Sequence, residues 1–470
     1  MSLAFQFEGR SLLRSKVGMV ALVAYLAIGA LSLFLGDRYV AGWNQAIENA
    51  EKAQQASIDE AREYLATGGG PTGRPWVNLS MPRWQDHYAG TRVHREPSAL
   101  AGIAAGAVDP APVAFQVNRR SDPSAGGGYR IENPELAMGA VDLTFVLAIL
   151  SPLLMGVLGM GIGSREREDR IDRIIVVQSG QVRGWLMARL LVVTGVTASC
   201  NAVLCGAAGV IGGASLPNTA ILLIFGVGYA VLWGGLLAAV SAVAQTVQAQ
   251  SLTYGVVWMA VCIVLPTIAA EVSLNRVQTD FGVSETLDAR GLNYEAYELA
   301  IEDLTTQVYA WYPELADLPA AADEVLSPAV RRHATSAVLM TAMVARVETR
   351  QTEARNAQQI TERAAWTSPA VALTVALERL VGVGPEAASA FQAHAMHAVD
   401  QRVRWILRAA WNQKPLGPSD FEALISNAPA PFRWQAGWAW ASGLAIGSWS
   451  IISWLFAAVA LRREEQLIDG

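Results

Sequence analysis

The chain has 470 residues, of which 52% are hydrophobic and only 16% are charged, and its formal net charge at pH 7 is −6. A soluble globular domain carries about 25% charged residues, so this composition indicates a membrane protein with several spans and large polar insertions. The negative net charge gives no electrostatic reason to expect a nucleic-acid partner. All three cysteines lie in apolar runs and predict no disulfide: Cys200, Cys205 and Cys262.

A short basic N-terminus precedes the first predicted span. Residues 17–35 are apolar and uncharged, and as a helix they nearly cross the hydrocarbon core of a bilayer. A cleaved signal peptide is the alternative, but residues 34–38 lack a small-x-small cleavage signature. We therefore expect residues 1–36 to hold a cytoplasmic N-terminus and an uncleaved span.

A first extracytoplasmic insertion is predicted over residues 37–136. Its first part, 41–66, is rich in Ala, Glu, Gln and Lys and predicts a helical stalk that continues span 1. The glycines and proline at 68–71 end that helix. The rest of the insertion has many turn residues and is expected to be irregular.

Four more spans are predicted between this insertion and the next one. Span 2 covers 137–163 and contains Pro152, which removes a helix hydrogen bond and predicts a kink. A charged cytoplasmic loop follows over 164–189, and spans 3 to 5 form a compact unit over 190–270. Small residues at four positions predict close helix packing: Gly156, Gly159, Gly209 and Gly213. No strand precedes the glycine-rich run of span 2, which argues against a nucleotide-binding loop.

The second extracytoplasmic insertion, 271–435, is larger and is predicted to be mostly helical. Helices are expected in three stretches that lack an internal proline: 294–312, 328–367 and 385–413. Span 6 is predicted over 436–461, and a cytoplasmic tail over 462–470. Three tryptophans at the outer end of span 6 resemble an interfacial aromatic belt: Trp434, Trp438 and Trp440. The predicted fold class is an all-α polytopic membrane protein with six transmembrane helices and two extracytoplasmic insertions.

Arginines are concentrated on one predicted side of the membrane. Residues 163–185 contain five of them, which makes this loop, and with it both termini, cytoplasmic by the positive-inside rule. The apolar residues of the loop lie at helical spacings and predict a helix along the membrane surface: Ile171, Ile174, Ile175 and Val182. Two interpretations stay open at this point, a loop that only fixes orientation and an element that docks a soluble partner.

The sequence carries no pattern that predicts catalysis within this chain. It lacks a P-loop, the H-E-x-x-H and G-x-S-x-G motifs and a zinc-type cysteine pair. The spans are also poor in ionisable residues, with Asp142 and Arg189 as the exceptions, whereas ion-coupled carriers usually keep such groups near the membrane midplane. If the protein moves a substrate, the energy is expected to come from a separate partner.

Four short stretches now point to a known family. They are Ser151-Pro152-Leu153-Leu154 with Gly156 and Gly159, Glu166-Arg167-Glu168, Gln178-Ser179-Gly180-Gln181-Val182-Arg183, and Ala188-Arg189-Leu190-Leu191. Together with the topology, they resemble the ABC-2-type permeases of ATP-binding cassette transporters, in the branch with a large extra extracytoplasmic domain of unknown function. Two positions depart from the family pattern: Arg170-Ile171-Asp172 stands where Gly-Thr-Leu is usual, and Arg189 where lysine is usual.

This resemblance implies that the chain is a permease subunit and not itself an enzyme. ATP and Mg²⁺ would be bound by a separate cytoplasmic ATPase, which would dock on a coupling helix from Arg170 to Gln178 in the 164–189 loop. The implied coupling residues are Glu166, Arg167, Glu168, Arg170, Ile171, Asp172, Arg173, Ile174, Gln178 and Arg183. The resemblance also implies a dimer with a second copy or a paralogue, a bacterial inner-membrane location, export as the direction, and contact with the bilayer and an extracytoplasmic protein.

Two other interpretations were weighed from the residues. The chain could instead be a non-transporting membrane sensor or scaffold, whose insertions bind an extracytoplasmic ligand. His394, His397 and Asp400 lie three residues apart on a predicted helix, where imidazoles and a carboxylate could bind copper or zinc. Solvated helical residues are the preferred interpretation of that set, and no metal site is predicted.

Overall fold

The computed structural model describes residues 2–71, 73–106, 112–118, 141–171, 174–175, 182–274, 291, 294–322, 326–437 and 439–469. In this part of the chain, six helices are long and apolar enough to cross a membrane, which supports the predicted polytopic all-α class. We call them spans 1 to 6: Lys16–Thr67, Leu143–Glu168, Val182–Ile211, Leu216–Val243, Val247–Val272 and Trp440–Arg462.

Span 1 is one unbroken helix of 52 residues that begins in the membrane and continues into the first insertion. The hydroxyl of Ser15 caps its start by accepting a hydrogen bond from the Gly18 amide at 3.1 Å. Gly68 ends it with a φ of +114°, a conformation that a residue with a Cβ rarely adopts. The predicted helical stalk over 41–66 is therefore confirmed. Before Ser15 lies a separate helix, α1, over Ser2–Arg14.

Spans 2 and 5 are each interrupted by a π-helical turn next to a proline. Span 2 consists of a short helical start Leu143–Phe145, a π turn Val146–Leu150 and a helix Ser151–Gly159. Span 5 consists of Val247–Met259, a π turn Ala260–Val264 and Leu265–Leu274. The π turn of span 2 ends two residues before Pro152, and that of span 5 ends two residues before Pro266. The kink predicted at Pro152 stays a prediction. Span 3 begins at Val182, eight residues before the predicted start at 190.

The two insertions share a small β-sheet, so the expectation that the first insertion is irregular after the stalk is wrong for the described residues 82–96 and 114–117. A helix Pro82–Tyr88 leads into strand β1, Thr91–Glu96, which pairs antiparallel with β2, Ala114–Val117. Strand β3, Phe432–Arg433, comes from the second insertion and pairs parallel with β1 in the order β2-β1-β3. Strand β1 pairs with β3, which lies more than 330 residues later in the chain, so a local sequence pattern cannot predict this pairing.

The second insertion is mostly helical, as predicted, and contains more helices than predicted. The helices are Ile301–Trp311, Pro328–Ala364, Pro369–Val381, Pro385–Trp411 and Pro418–Ser426. Prolines begin four of them, because a proline at the first helical position has no amide that needs a partner. Pro369–Val381 was not expected. Its apolar face belongs to the same buried cluster as the spans, against which it packs.

A buried ion pair joins the two insertions away from the membrane. Arg402 donates from Nε to Asp86 at 3.0 Å and from a terminal nitrogen to the Ala89 carbonyl at 2.8 Å. Both charged side chains are almost fully buried. Burial lowers the pKa of the Arg402 guanidinium, and the charge of Asp86 opposes that shift. This ion pair therefore fixes the helix Pro82–Tyr88 of the first insertion to the helix Pro385–Trp411 of the second.

Candidate functional site

A sharp turn places the acidic-arginine motif against the ends of the spans. Gly161 and Gly163 have φ values of +88° and +86°, which glycine adopts without strain. They form the turn that follows the helix Ser151–Gly159, near the end of span 2, and this turn leads into a short helix, α2, over Ser164–Glu168. Glu166 then accepts a hydrogen bond from the Gly163 amide at 2.7 Å, which fixes its carboxylate at the turn.

Glu166 belongs to a buried charge triad with Arg189 and Glu8. The guanidinium of Arg189 pairs with Glu166 and, from Nε, with Glu8 at 2.5 Å. Arg189 is 8% exposed and Glu8 is 3% exposed. The triad therefore connects α1, the turn after span 2 and the start of span 3. Glu166 and Arg189 stand out in the sequence, but no sequence pattern indicates that Glu8, at the N-terminus, is the third member.

Arg167 and Glu168 bind the facing ends of spans 4 and 5. Arg167 donates to the carbonyls of Ser241 at 2.7 Å and Ala244 at 3.0 Å, which the end of span 4 leaves without helical partners. Glu168 accepts from the Val247 amide at 3.2 Å, at the start of span 5. A cation at a helix C-terminus and an anion at an N-terminus are each favourable with respect to the helix dipole.

Gln250 completes these connections beneath the turn. Its side-chain oxygen accepts from Ser164 Oγ at 2.5 Å and from the Gly161 amide at 3.0 Å, and its nitrogen donates to Ser241 Oγ at 2.7 Å. Gln250 is fully buried. We call the set Glu166, Arg167, Glu168, Arg189 and Gln250 the turn clamp, because it ties the turn to spans 3, 4 and 5.

The predicted coupling residues fall into three groups. Glu166 and Arg167 are half-buried within the clamp, and Arg183 is half-buried at the start of span 3. Four others are exposed: Glu168, Arg170, Ile171 and Ile174. Asp172, Arg173 and Gln178 lie outside the described residues. The predicted helix does not begin at Arg170, because that residue has a φ of +54° and forms the turn after α2.

Spans 1 to 4 are linked inside the membrane by one amide side chain. Asn201 of span 3 accepts from the Tyr25 hydroxyl at 2.6 Å and donates to Ser151 Oγ and the Gly226 carbonyl, each at 3.0 Å. All of Asn201 is buried. Because a polar group without a partner in hydrocarbon is costly, this amide favours one arrangement of the four spans.

The π turns of spans 2 and 5 contact each other, and a cavity lies beside them. Since Pro152 has no amide hydrogen, the Ala148 carbonyl one turn earlier accepts instead from the Tyr229 hydroxyl at 2.9 Å, with the Cys262 thiol at 3.5 Å. Trp258 donates in the same way to Ile149 at 3.1 Å. π turns are often found at functional sites.

The cavity beside these turns has a volume of about 630 Å³ and lies at the end of the spans remote from α2. Spans 2 and 5 and the helix Pro369–Val381 form its walls. The described residues that line it are mainly apolar, and the charged ones among them are Asp142 and Glu378. Asp142 caps the start of span 2 by accepting from the amides of Phe145 at 2.7 Å and Gly106 at 2.9 Å.

Three of the four selected glycines lie where helices approach closely. A Cβ at Gly156 would lie 2.6 Å from the Tyr254 ring, and one at Gly209 would lie 2.6 Å from Thr219. A Cβ at Gly159 would overlap Leu237. Gly213 is different: it lies in the turn after span 3 with a φ of +64° and nothing within 4 Å, so it does not serve helix packing.

The candidate metal set is engaged in other contacts. His394 lies 3.0 Å from the Ala430 carbonyl, and His397 lies 2.9 Å from Gln401 Nε2. Asp400 accepts from Arg404 Nε at 2.8 Å. Over the described ranges, no group of three or more His, Cys, Asp or Glu side chains is placed to hold a metal ion.

Neither a family model, nor a curated protein, nor a solved structure matches this chain. The functional assignment therefore rests on the turn clamp, the exposed residues beside it and the interrupted spans.

Proposed function

We propose that this chain is the membrane-spanning subunit of an ABC-2-type transporter that exports an amphipathic substrate. ATP hydrolysis would take place in a separate cytoplasmic ATPase, and the permease would act as a dimer with a second copy or a paralogue. The main support for this proposal is the turn clamp. Its hydrogen bonds connect the exposed segment that follows α2 to the ends of spans 3, 4 and 5.

Residues 169–171 and 174, next to the clamp, are exposed, as a docking site must be. We call these residues the docking segment. Ile171 is 41% exposed and Ile174 is 55% exposed, and both stand beside the exposed charges of Asp169 and Arg170. An apolar centre with a charged rim is the usual composition of a protein interface. The clamp carboxylate of Glu166 is turned to Arg189 instead, so the family motif would act here by transmitting movement rather than by touching the ATPase.

Movement at the segment has a short path to the outer cavity. Arg167 and Glu168 hold spans 4 and 5 at the ends nearest α2, and span 5 carries its π turn between that end and the cavity. A π turn with an adjacent proline is a weak point of a helix, because the regular hydrogen bonds are already missing there. Tilting of the clamped ends would therefore change the cavity by bending spans 2 and 5.

The cavity supports a substrate with an apolar body. Its apolar walls resemble those of small-molecule sites, in which a few polar groups fix the orientation of a mainly apolar ligand. The binding sites of many transporters are formed by discontinuous spans. In such spans the backbone groups without a helical partner face a cavity and can contact the substrate.

The test is purification of the tagged full-length protein, co-expressed with a candidate ABC ATPase from the same genome, in mild detergent. We expect the ATPase to co-purify in a stoichiometric amount and to hydrolyse ATP. The double variant Ile171→Glu/Ile174→Glu should lose the ATPase, because it places charge in the centre of the docking segment. Trp311→Glu is the matched control, since Trp311 is 53% exposed in the second insertion, and it should keep the ATPase.

A second variant separates docking from transmission. Arg167→Met should retain the ATPase but lose most of the stimulation of ATP hydrolysis by the permease, because spans 4 and 5 are released from the turn. A chain that purifies alone, without hydrolysis, from both detergent and nanodiscs would refute the transporter proposal and favour a sensor or scaffold. Full stimulation in Arg167→Met would refute only the transmission path.

A further inference from the structure

A second cavity, of about 920 Å³, lies at the other end of the spans from the first one. Helix α1, the start of span 1, the end of span 2 and the start of span 3 enclose it. By the distribution of arginines, this end is the cytoplasmic one. The cavity is therefore at the depth where the headgroups of the cytoplasmic leaflet lie.

The lining of this cavity carries a net positive charge. Among the described residues that line it, Arg10, Arg14, Arg165 and Arg189 stand with two glutamates, Glu8 and Glu166, so that these side chains have a formal net charge of +2. Arg189 already pairs with both glutamates. The other three arginines are exposed, and within the described chain none of them has a hydrogen bond or an ion pair. Three cations thus face a shared space without a protein anion.

The same space also offers an unused hydrogen-bond donor and an apolar wall. The indole Nε1 of Trp185, a lining residue, is buried and has no partner among the described residues. An indole N–H only donates, so a ligand that satisfies it must present an acceptor oxygen. Leu12, Val157 and Leu158 supply apolar surface beside it.

Helix α1 has the features of a helix that lies in the membrane surface. It carries exposed apolar side chains, with Phe5 at 41%, Phe7 at 51% and Leu13 at 72% exposure, together with arginines. Amphipathic helices of this composition bury their apolar side among the lipid chains and leave basic residues at headgroup level. With α1 in that position, lipid chains would reach the cavity from the side, whereas water would reach the arginines.

We propose that this cavity binds the headgroup of an anionic phospholipid from the cytoplasmic leaflet. The phosphate would lie among Arg10, Arg14 and Arg165, and an ester or phosphate oxygen would accept from Trp185. Arginine suits this role because its planar guanidinium forms paired hydrogen bonds with phosphate oxygens. Basic pockets between transmembrane helices on the cytoplasmic side bind anionic headgroups by the same chemistry. The inference does not depend on the transport function.

A bound lipid would also stabilise the position of α1. Arg10 and Arg14 belong to α1, whereas Arg165 belongs to the turn after span 2, so one phosphate would join the two elements. The Glu8–Arg189–Glu166 triad joins the same two elements on the other side of the cavity. Lipid binding is therefore expected to raise the resistance of the whole turn to unfolding.

The experiment uses the full-length protein in a neutral detergent, with phosphatidylglycerol or phosphatidylcholine added as the probe. Binding is measured by native mass spectrometry and by the shift in the thermal transition of tryptophan fluorescence. We expect phosphatidylglycerol to bind in a 1:1 complex and to raise the transition temperature, and phosphatidylcholine to do neither. Equal binding of the two lipids would overturn the proposal.

Two variants and a matched control locate the site. The triple variant Arg10→Gln/Arg14→Gln/Arg165→Gln should bind phosphatidylglycerol about 100-fold more weakly, at roughly fivefold per basic residue. Trp185→Phe keeps all charges and should bind it about tenfold more weakly, through the lost donor alone. The control Arg38→Gln/Lys52→Gln/Arg74→Gln removes the same charge from exposed positions elsewhere and should bind normally. Equal losses in the triple variant and the control would overturn the site.

A soluble anion could satisfy the same three arginines, so inorganic phosphate is tested alone. Phosphate at millimolar concentration should leave the transition temperature unchanged, because it lacks the apolar chains that contact Leu12 and Leu158. If phosphate raised the transition temperature as much as phosphatidylglycerol does, and if the triple variant abolished that effect, the cavity would be a site for a soluble anion and the lipid proposal would be wrong.

Discussion

Replacing Arg189 with methionine tests the charge triad at the base of the turn clamp. The substitution keeps most of the side-chain volume but leaves the carboxylates of Glu8 and Glu166 buried without their cation. Removing one partner of a buried ion pair costs about 3–5 kcal/mol of stability, because the other partner stays buried and uncompensated. The triple variant Glu8→Gln/Glu166→Gln/Arg189→Met has no buried charge there and should recover much of that loss.

Unfolding of the purified protein in mixed detergent and dodecyl sulfate, followed by tryptophan fluorescence, measures these differences. Arg38→Met is the control, since Arg38 is exposed on span 1 and has no ion pair among the described residues; it should cost less than about 0.5 kcal/mol. The reasoning fails if Arg189→Met is no more destabilising than Arg38→Met. It also fails if the triple variant is as unstable as Arg189→Met, because the cost would then not come from uncompensated carboxylates.

Three further substitutions test other parts of the structure. Arg402→Met breaks the buried pair between the two insertions and should cost about 3–5 kcal/mol in the same assay, with faster proteolysis of the second insertion. Asn201→Ala removes three hydrogen bonds between spans and should cost only about 2 kcal/mol, at about 0.6 kcal/mol for each bond in a membrane protein. Gly156→Val overlaps Tyr254 and should reduce the yield of monodisperse protein in size-exclusion chromatography, whereas Gly228→Val, with nothing within 4 Å, should not.

The features that sequence predicts well are those that depend on neighbouring residues along the chain. The six spans follow from the length of apolar runs, and the stalk follows from the helix-forming composition of 41–66. The helix Pro369–Val381 was missed although Ser368 and Gly382 are good start and stop signals for it. Its function in the core could not be predicted, because its apolar side faces spans that are distant in sequence.

The site illustrates the same limit. The sequence indicates that Glu166 and Arg167 belong to a motif, but their partners, Arg189, Ser241 and Ala244, are 22 or more residues away. Exposure therefore could not be predicted from residue type, and two charged residues expected to face a partner are instead half-buried in the clamp. Likewise β1 pairs with Phe432–Arg433 across the whole second insertion, and only the folded backbone reveals that register.

The proposed transport function requires spans 2 and 5 to change conformation. Two features favour such a change: the turn clamp at one end and the π turns within the spans. At the end near α2, the turn clamp holds the backbone at the end of span 4 and the start of span 5 through charged hydrogen bonds that would be costly to break. At the other end, beside the cavity of about 630 Å³, each span has a π turn near a proline. Side chains of Tyr229, Trp258 and Cys262 bond to carbonyls of the π turn in span 2, and the Ser368 hydroxyl donates to the Val261 carbonyl of the π turn in span 5. Side-chain hydrogen bonds can exchange partners without unwinding the rest of the helix. A push on the docking segment is therefore expected to bend the spans at these turns, which line the cavity, and to leave the clamp intact.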